Sequence, residues 1–402
     1  MVARKLQIPF LWIDSLCIFQ DSKQDWQNEE PKMMHVYGGA LLNIAATSAT
    51  NSNAGFLPGT KRALLEPLVV EMKEAEFSQG RYFLLSDQYR AKAVTSLPLM
   101  RRAWVVQELL ISARVLYFCE NEMFWECSEL NASETYLGGL PRGLDRPWVA
   151  RDTIQNVLQK LPEFTTMADG PNEAGSLEKN QGTDALLLWR TWREIIRVYT
   201  ACHLTYATDN LVAISAIAKI IQSALNMDYC GGLWRYQIGY QLLWTCQSDT
   251  IEPRYPPITY RAPTWSWASM DGRVSFGSFQ EECNRWKSAI TVLDCHVDTS
   301  TNDATGEIVG GVLRLAGFLA TMRLVPKKMD PRQLSGMDEW AIFANGRWIT
   351  EGLPHAICFD GKVEAEEMLV HALVVVIDKL EGQPGLLMFL LLRSTGNVRT
   401  IL

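Results

Sequence analysis

The apolar positions of the first 130 residues fall into short runs separated by polar turns, and the length and period of each run set the element it predicts. Phe10–Ile13 is an apolar run that ends in Asp14, which predicts a strand presenting that carboxylate at its C-terminal end. After the polar segment Gln20–Lys23, Asp25 stands where it can cap a helix over Trp26–Tyr37, with Met33, Val36 and Tyr37 on the inner face. Ala40–Ala46 is small and continuously apolar, the character of a parallel strand covered on both faces, and Asn51-Ser-Asn-Ala-Gly closes it in a turn. Short strands are expected at Ala63–Glu71 and Arg81–Ser86, a helix over Arg101–Ser112 behind Pro98, and strands at Val115–Cys119 and Met123–Cys127. Strands alternating with helices predict an α/β unit built on a parallel sheet.

The pattern then changes. Residues 136–185 are rich in Gly, Pro, Asn and Glu, notably at Asp169-Gly-Pro-Asn-Glu-Ala-Gly-Ser, and read as a linker or a surface excursion. A helical period returns at Leu186, where Trp189, Trp192, Ile195, Ile196 and Tyr199 fall on one stripe. A second amphipathic helix is expected over Asp209–Ala218, capped by Thr208 or Asp209, and a third over Gln237–Cys246. From Tyr260 onward the runs are strand-like: Ile290–Asp298, Gly311–Leu324, Trp340–Ala344, Val370–Ile377 and Leu386–Leu392. The expected organisation is an α/β domain over 1–135, the linker or excursion over 136–185, a helical segment over 186–250 and a β-rich region over 251–402.

A chain of 402 residues is long for one core and fits more than one unit. Its net charge of −7 argues against a broad basic field, so no nucleic-acid partner is expected. The nine cysteines are odd in number, irregularly spaced and without a CxxC pair, so no zinc site is expected. Most lie in apolar runs and read as buried free thiols, which points to a reducing compartment and a cytoplasmic location. Met1-Val-Ala-Arg-Lys-Leu is not followed by the apolar region of a signal peptide, and no apolar run is long enough to span a membrane.

The candidate chemistry concentrates in two blocks, Phe10–Asp21 and Arg101–Ser112. Glu108 is a carboxylate inside an otherwise apolar helical run, one turn after Trp104. It reads either as a catalytic group or as a partner for Arg101 or Arg102. Asp14, at a strand end where α/β sheets bind ligands, reads as a ribose contact or as the group that orders the following loop. Gln20 and Gln107 are hydrogen-bonding candidates for a cleft or for backbone groups, and Arg102 for a phosphate or a carboxylate that anchors its helix. Cys17 has no nearby histidine in sequence and reads better as a small buried thiol than as a nucleophile. Trp265-Ser-Trp, set on a strand, would place both rings on one face for packing. No phosphate-binding glycine loop and no GxSxG motif occurs.

Two sets of residues carry a family resemblance. Trp12-Ile-Asp14, Cys17, Ile18, Gln20 and Trp26, then Met34, Tyr37, Ala40, Ala45, Ala46 and Gly55, resemble the pattern of fungal heterokaryon-incompatibility (HET) domains, as does Arg102-Ala-Trp-Val-Val-Gln-Glu-Leu-Leu. Leu204-Thr, Asp209-Asn-Leu-Val-Ala-Ile-Ser, Gly232-Leu-Trp, Leu242-Leu-Trp and Tyr260-Arg-Ala-Pro-Thr-Trp-Ser-Trp-Ala-Ser look like the extension found in many HET-domain proteins. HET domains are in turn similar to TIR domains, which carry a Trp, then Glu four residues later, then Leu; Trp104, Glu108 and Leu109 stand at that spacing. The resemblance implies a TIR/flavodoxin-like parallel sheet. It is expected to be incomplete, because the chain starts after the Leu-Ser-Tyr-x-Trp-Gly strand with which complete HET domains begin. It implies that Glu108 is the catalytic residue of an NAD glycohydrolase, with Asp14, Gln20, Trp104 and Arg102 binding the substrate and no metal or cofactor needed. The implied partners are a second copy of the chain or another incompatibility protein, and the implied role is non-self recognition and programmed cell death. The alternatives are a non-catalytic death or signalling module, and a scaffold recruited to another reaction of fungal metabolism.

Overall fold

The computed structural model describes residues 2–51, 53–57, 68–72, 80–84, 86, 88–141, 144, 149–159, 181–247, 257, 259–276, 286–326, 340–344, 347–349, 368–378 and 387–392. The chain divides into two units. The first comprises Met1–Ile195, Cys202–Leu204 and Ala213–Leu225, and the second comprises Ile196–Ala201, Thr205–Val212 and Asn226–Leu402.

In the first unit, proline and loop length shape the departures from the expected elements. Short helices Val2–Lys5 (α1) and Asp14–Cys17 (α2) flank an extended segment that joins no sheet. Phe10–Ile13 is therefore not a strand, and Phe10, Leu11 and Ile13 are exposed. The helix expected over Trp26–Tyr37 is split. Lys23–Glu29 (α3) is capped by Ser22, whose hydroxyl accepts from the Asp25 amide, and Met33–Gly38 (α4) follows a 3₁₀ turn over Glu30–Lys32. Pro31 lies in that turn and lacks the N–H a continuous helix would need.

Asn43–Ala45 (β1) pairs in parallel with Arg114–Phe118 (β4), in the register Asn43↔Val115 to Ala45↔Tyr117. Leu68–Met72 (β2) and Gly80–Leu84 (β3) form a separate antiparallel pair. Met123–Cys127 (β5) and Asn131–Ser133 (β6) extend the sheet in the order β1-β4-β5-β6. The sheet is mixed rather than parallel, and the connections explain why. Between β1 and β4 the chain crosses over through the helix Ala103–Ile111 (α5), whereas β4–β5 and β5–β6 are joined by tight turns, which only antiparallel strands can use. Val105 and Leu109 of α5 pack with Ala45, Val115, Tyr117 and Phe124 in the core.

The polar stretch 136–185 contains the helix Val149–Leu158 (α6), which packs on α5. Residues 160–180, including Asp169–Ser176, lie outside the described residues. Gln181–Tyr199 (α7) follows, with Trp189, Trp192, Ile195, Ile196 and Tyr199 all buried, as the stripe predicts. The helix expected from Asp209 begins later: 3₁₀ turns at Ala207–Asn210 and Val212–Ile214 lead into Ser215–Leu225 (α8), which packs on α5 and α6.

The second unit is β-rich. Tyr229–Cys230 (β7) pairs with Leu233–Trp234 (β8), and Trp244–Gln247 (β9) with Arg273–Phe276 (β10). The expected helix over Gln237–Cys246 is reduced to Ile238–Gln241 (α9) because β9 takes its second half. Trp286–Ser288 (β11), Leu319–Pro326 (β14), Trp340–Ala344 (β15), Arg347–Ile349 (β16), Met368–Asp378 (β17) and Leu387–Leu392 (β18) make a six-stranded antiparallel sheet. Ile290–Thr299 (β12) and Ile308–Gly317 (β13) form a long hairpin. Trp265 and Trp267 do not alternate on a strand. Trp267 opens a 3₁₀ turn, is fully buried and donates to the Gly232 carbonyl at 2.8 Å. Gly232 has φ +94°, and a Cβ there would lie 2.7 Å from the Trp267 indole nitrogen, so the position needs glycine twice over.

Cys230 and Cys295 form a disulfide that ties β7 to β12, which corrects the expectation of free thiols for that pair. Cys17 is exposed rather than buried. Among the described residues no helix is long and apolar enough to cross a membrane, and no group of His, Cys, Asp or Glu could hold a metal ion.

Candidate functional site

α5 is clamped at both ends. At its start the chain returns at His203, which bridges Arg102 in parallel: the Ala103 amide donates to the His203 carbonyl at 3.0 Å, and the His203 amide to the Arg101 carbonyl at 2.7 Å. At its end the last carbonyls of a helix have no partner within the helix, and α6 supplies them. Gln155 donates to the carbonyls of Leu110 at 2.7 Å and Ile111 at 2.8 Å, and Arg151, one turn earlier, donates to Leu109 and Ser112. Asn43 and Ser112 reach the Glu108 carbonyl at 3.4 and 2.7 Å, fixing the helix to β1. Gln107 is buried and accepts from the Ala216 amide at 3.3 Å, so it serves the start of α8 and not a cleft.

On this fixed helix the Glu108 side chain is enclosed by protein, with a minor share of its surface still in contact with solvent. Its carboxyl is raised from an ordinary 4.5 to about 7. Burial is the main cause and the nearby Asp14 charge adds to it, while a hydrogen bond from Tyr37 and the Arg102 charge act in the opposite direction. Tyr37, near the end of α4, has its own ionisation pushed far up by burial first, then by the Glu108 charge and the same hydrogen bond. Its ring meets Trp12 edge-on, with centroids 5.7 Å apart. Glu108, Tyr37, Asp14 and Arg102 are therefore coupled electrostatically, each of the other three affecting the Glu108 carboxyl.

Of the residues expected from sequence, Glu108, Asp14 and Arg102 are brought together, with Asp14 and Arg102 exposed. Gln20 turns to its own loop, donating to the carbonyls of Asp14 at 3.3 Å and Ile18 at 3.0 Å. Trp104 packs edge-on against Trp26 at 6.2 Å. Tyr37 is the residue that sequence reasoning left as a core position. The available signal was the conflict itself: a carboxylate in an apolar run needs a donor, and a tyrosine on a neighbouring helix is one.

A second ionic cluster sits in the core of this unit. Glu126 receives Arg90 at 2.6 Å and the Tyr117 hydroxyl at 2.6 Å, with Arg151 at 3.8 Å. Burial opposes its ionised form, but Arg90, Arg151 and Tyr117 outweigh that and hold the carboxyl below its usual range. The space between these groups, about 10 Å³, has room for roughly one water, so the cluster is structural.

Residues 1–108 match the family model described as Heterokaryon incompatibility protein (HET). The chain carries a HET domain. The match contains every candidate residue of the site and ends on Glu108 itself. No curated protein and no solved structure matches the chain. In this HET domain the matched residues do not make a closed unit: α6, α8 and the His203 strand segment, all beyond the match, complete the surroundings of α5.

Proposed function

We propose that this HET-domain protein acts in fungal non-self recognition and cell death, and that its chemistry is hydrolysis of the nicotinamide–ribose bond of NAD at Glu108. The observation that carries the reading is one largely enclosed carboxylate whose ionisation is raised by burial and influenced by a tyrosine, a second carboxylate and an arginine. Loss of nicotinamide leaves an oxocarbenium-like ribose, which a buried carboxylate stabilises far better than an exposed one. Arg102, exposed at the start of α5, supplies the charge complementary to a pyrophosphate. Asp14, exposed at the start of α2, supplies a carboxylate that can accept from ribose hydroxyls. The TIR-like reading of the sheet belongs to this proposal, as does completion of the site by a second copy of the chain.

Purified protein incubated with NAD is expected to release nicotinamide, measured by chromatography, and Glu108→Gln to abolish the release. No turnover from a folded sample, across the concentrations at which it self-associates, would sink the enzymatic reading. A second reading is favoured by the exposed apolar side chains of Phe10, Leu16 and Phe19: a non-catalytic module that works through protein contacts. In that case toxicity on overexpression in a fungal host survives Glu108→Gln.

A further inference from the structure

We propose that two copies of this chain pair through the segment Pro9–Ile13, as antiparallel strands about a two-fold axis centred on Leu11. The inference deepens the reading above that a second copy completes the site, and rests on it for its bearing on function. The segment lies between α1 and α2, and Ile13, at φ −141° and ψ 124°, is extended, yet the segment joins no sheet. Among the described residues, the amides and carbonyls of Phe10, Leu11 and Trp12 have no hydrogen-bond partner, and neither do the Ile13 amide and the Pro9 carbonyl. Extended backbone in this state is a template for another strand. The side chains are open as well. Phe10 is 87% exposed and Leu11 61%, and Leu16 and Phe19, on α2 and just beyond it, are exposed too. Together these four present on the order of 500 Å² of apolar surface, against the roughly 800 Å² that each partner contributes to a stable interface.

Register, side chains and charge all favour a second copy as the occupant. When Leu11 faces Leu11 of the other copy in a hydrogen-bonded pair, Pro9 faces Ile13 of that copy in the next such pair. Pro9 has no N–H to give, and the Ile13 carbonyl opposite it already accepts from the Leu16 and Cys17 amides of α2. The bond that proline forfeits is thus one that the facing carbonyl does not need, and the Leu11 and Ile13 amides of both copies are served. In the same register Phe10 faces Trp12 of the other copy in a non-hydrogen-bonded pair, where side chains approach most closely, and the two-fold axis makes this contact twice. Arg4 and Lys5 precede the segment and Asp14 follows it, all exposed, so an antiparallel copy sets the basic end of one strand beside the acidic end of the other. A lipid surface would take the same apolar side chains but leave the backbone amides without partners. The pair also bears on the site. Trp12 meets Tyr37 edge-on at 5.7 Å and stands two residues before Asp14, so the Phe10 ring of the second copy covers this flank of it.

The test is the oligomeric state of the full chain, measured by sedimentation equilibrium. The native protein is expected to form dimers that dissociate on dilution. Phe10→Glu, which sets a charge against each Trp12, should raise the dissociation constant at least roughly tenfold, while Leu137→Glu, at an exposed position outside the segment, should leave it unchanged. A native chain that stays monomeric overturns the proposal, including one that binds phosphatidylcholine vesicles instead, and so does a dimer that Phe10→Glu leaves intact. The register is tested in a Cys17→Ser background, because Cys17 is exposed. Oxidised glutathione is expected to link two copies of Leu11→Cys, whose Cα atoms face each other at about 5.5 Å. It should not link two copies of Phe10→Cys, which stand diagonally at about 7–8 Å. Linkage at Phe10→Cys without linkage at Leu11→Cys overturns the proposal. Should Phe10→Glu fail to fold, hydrogen exchange of the native chain decides. The Leu11 and Ile13 amides are expected to gain protection as concentration rises, and exchange that is the same at every concentration overturns the pairing. None of these measurements uses NAD. A monomer that cleaves NAD overturns the pairing and keeps the reaction, whereas a dimer that does not cleave it keeps the pairing and discards the reaction.

Discussion

Gln155→Leu removes the cap of the helix that carries Glu108 while keeping the side-chain volume. Gln155 is buried, and its amide nitrogen lies 2.7 Å from the Leu110 carbonyl, 2.8 Å from that of Ile111 and 3.2 Å from that of Ser112. An amide has two protons, so two of these carbonyls are fully served by it. Ser112 keeps Arg151 as a donor, so the substitution orphans Leu110 and Ile111. An unsatisfied buried acceptor costs about 1–3 kcal/mol. Leucine recovers part of that through apolar burial, so the net loss is expected at about 2–4 kcal/mol. The assay is native-state hydrogen exchange at the α5 amides, which reads the opening of this helix directly. At 1.36 kcal/mol per decade, exchange should accelerate roughly 30- to 1,000-fold. Rates at α5 within threefold of the native protein would refute the reasoning and mean that the carbonyls find other donors, or that α6 does not cap α5.

Three further outcomes are expected. Glu126→Leu leaves Arg90 and Arg151 buried without their carboxylate and should cost about 3–5 kcal/mol in urea unfolding, whereas a change under 1 kcal/mol would count against the cluster as a structural tie. Cys230 and Cys295 are separated by 65 residues, so in the chain-entropy account their bond contributes about 4 kcal/mol. Cys295→Ser should lower the Tm of the second unit, reductant should lower the native protein to match it, and reductant should leave the variant unaffected. The Glu108 carboxyl titrates near 4.5 when unfolded and near 7 when folded, so the folded state holds the extra proton between those values. Its contribution to stability therefore declines as pH rises from about 4.5 to about 7, and Glu108→Gln should gain in relative Tm over that window. A difference in Tm that is flat across the window would contradict a raised carboxyl.

The sequence made some of this legible for definite reasons. The stripe on α7 could be read because five large apolar residues at helical spacing have one physical interpretation, and all five are buried. Met123–Cys127 could be read because exposure alternates along it. Phe10–Ile13 could not, since a short apolar run becomes a strand only if a partner offers hydrogen bonds, and period carries no information about partners. The same limit applied to Trp265 and Trp267. A tight turn at Gly232 and the buried indole that fills it are set by each other across the fold, not by local alternation. At the site, Glu108 was visible as a conflict between residue type and surroundings, and such conflicts mark functional or strained positions. Tyr37 was invisible because it suits a helix face whether or not its hydroxyl has work to do.

The clamp on α5 has a consequence for how this protein is made. The helix is complete at residue 111, but its end is held by residues 151 and 155 and its start by residue 203, with α8 packed against it from residue 215 onward. On the ribosome, α5 therefore waits for about a hundred further residues before its partners emerge. At ordinary elongation rates that is an interval of roughly 5–20 s. Throughout it the Glu108 carboxylate sits on a helix held only from its sheet side, without the clamp at either end, until the chain is long enough to close around it.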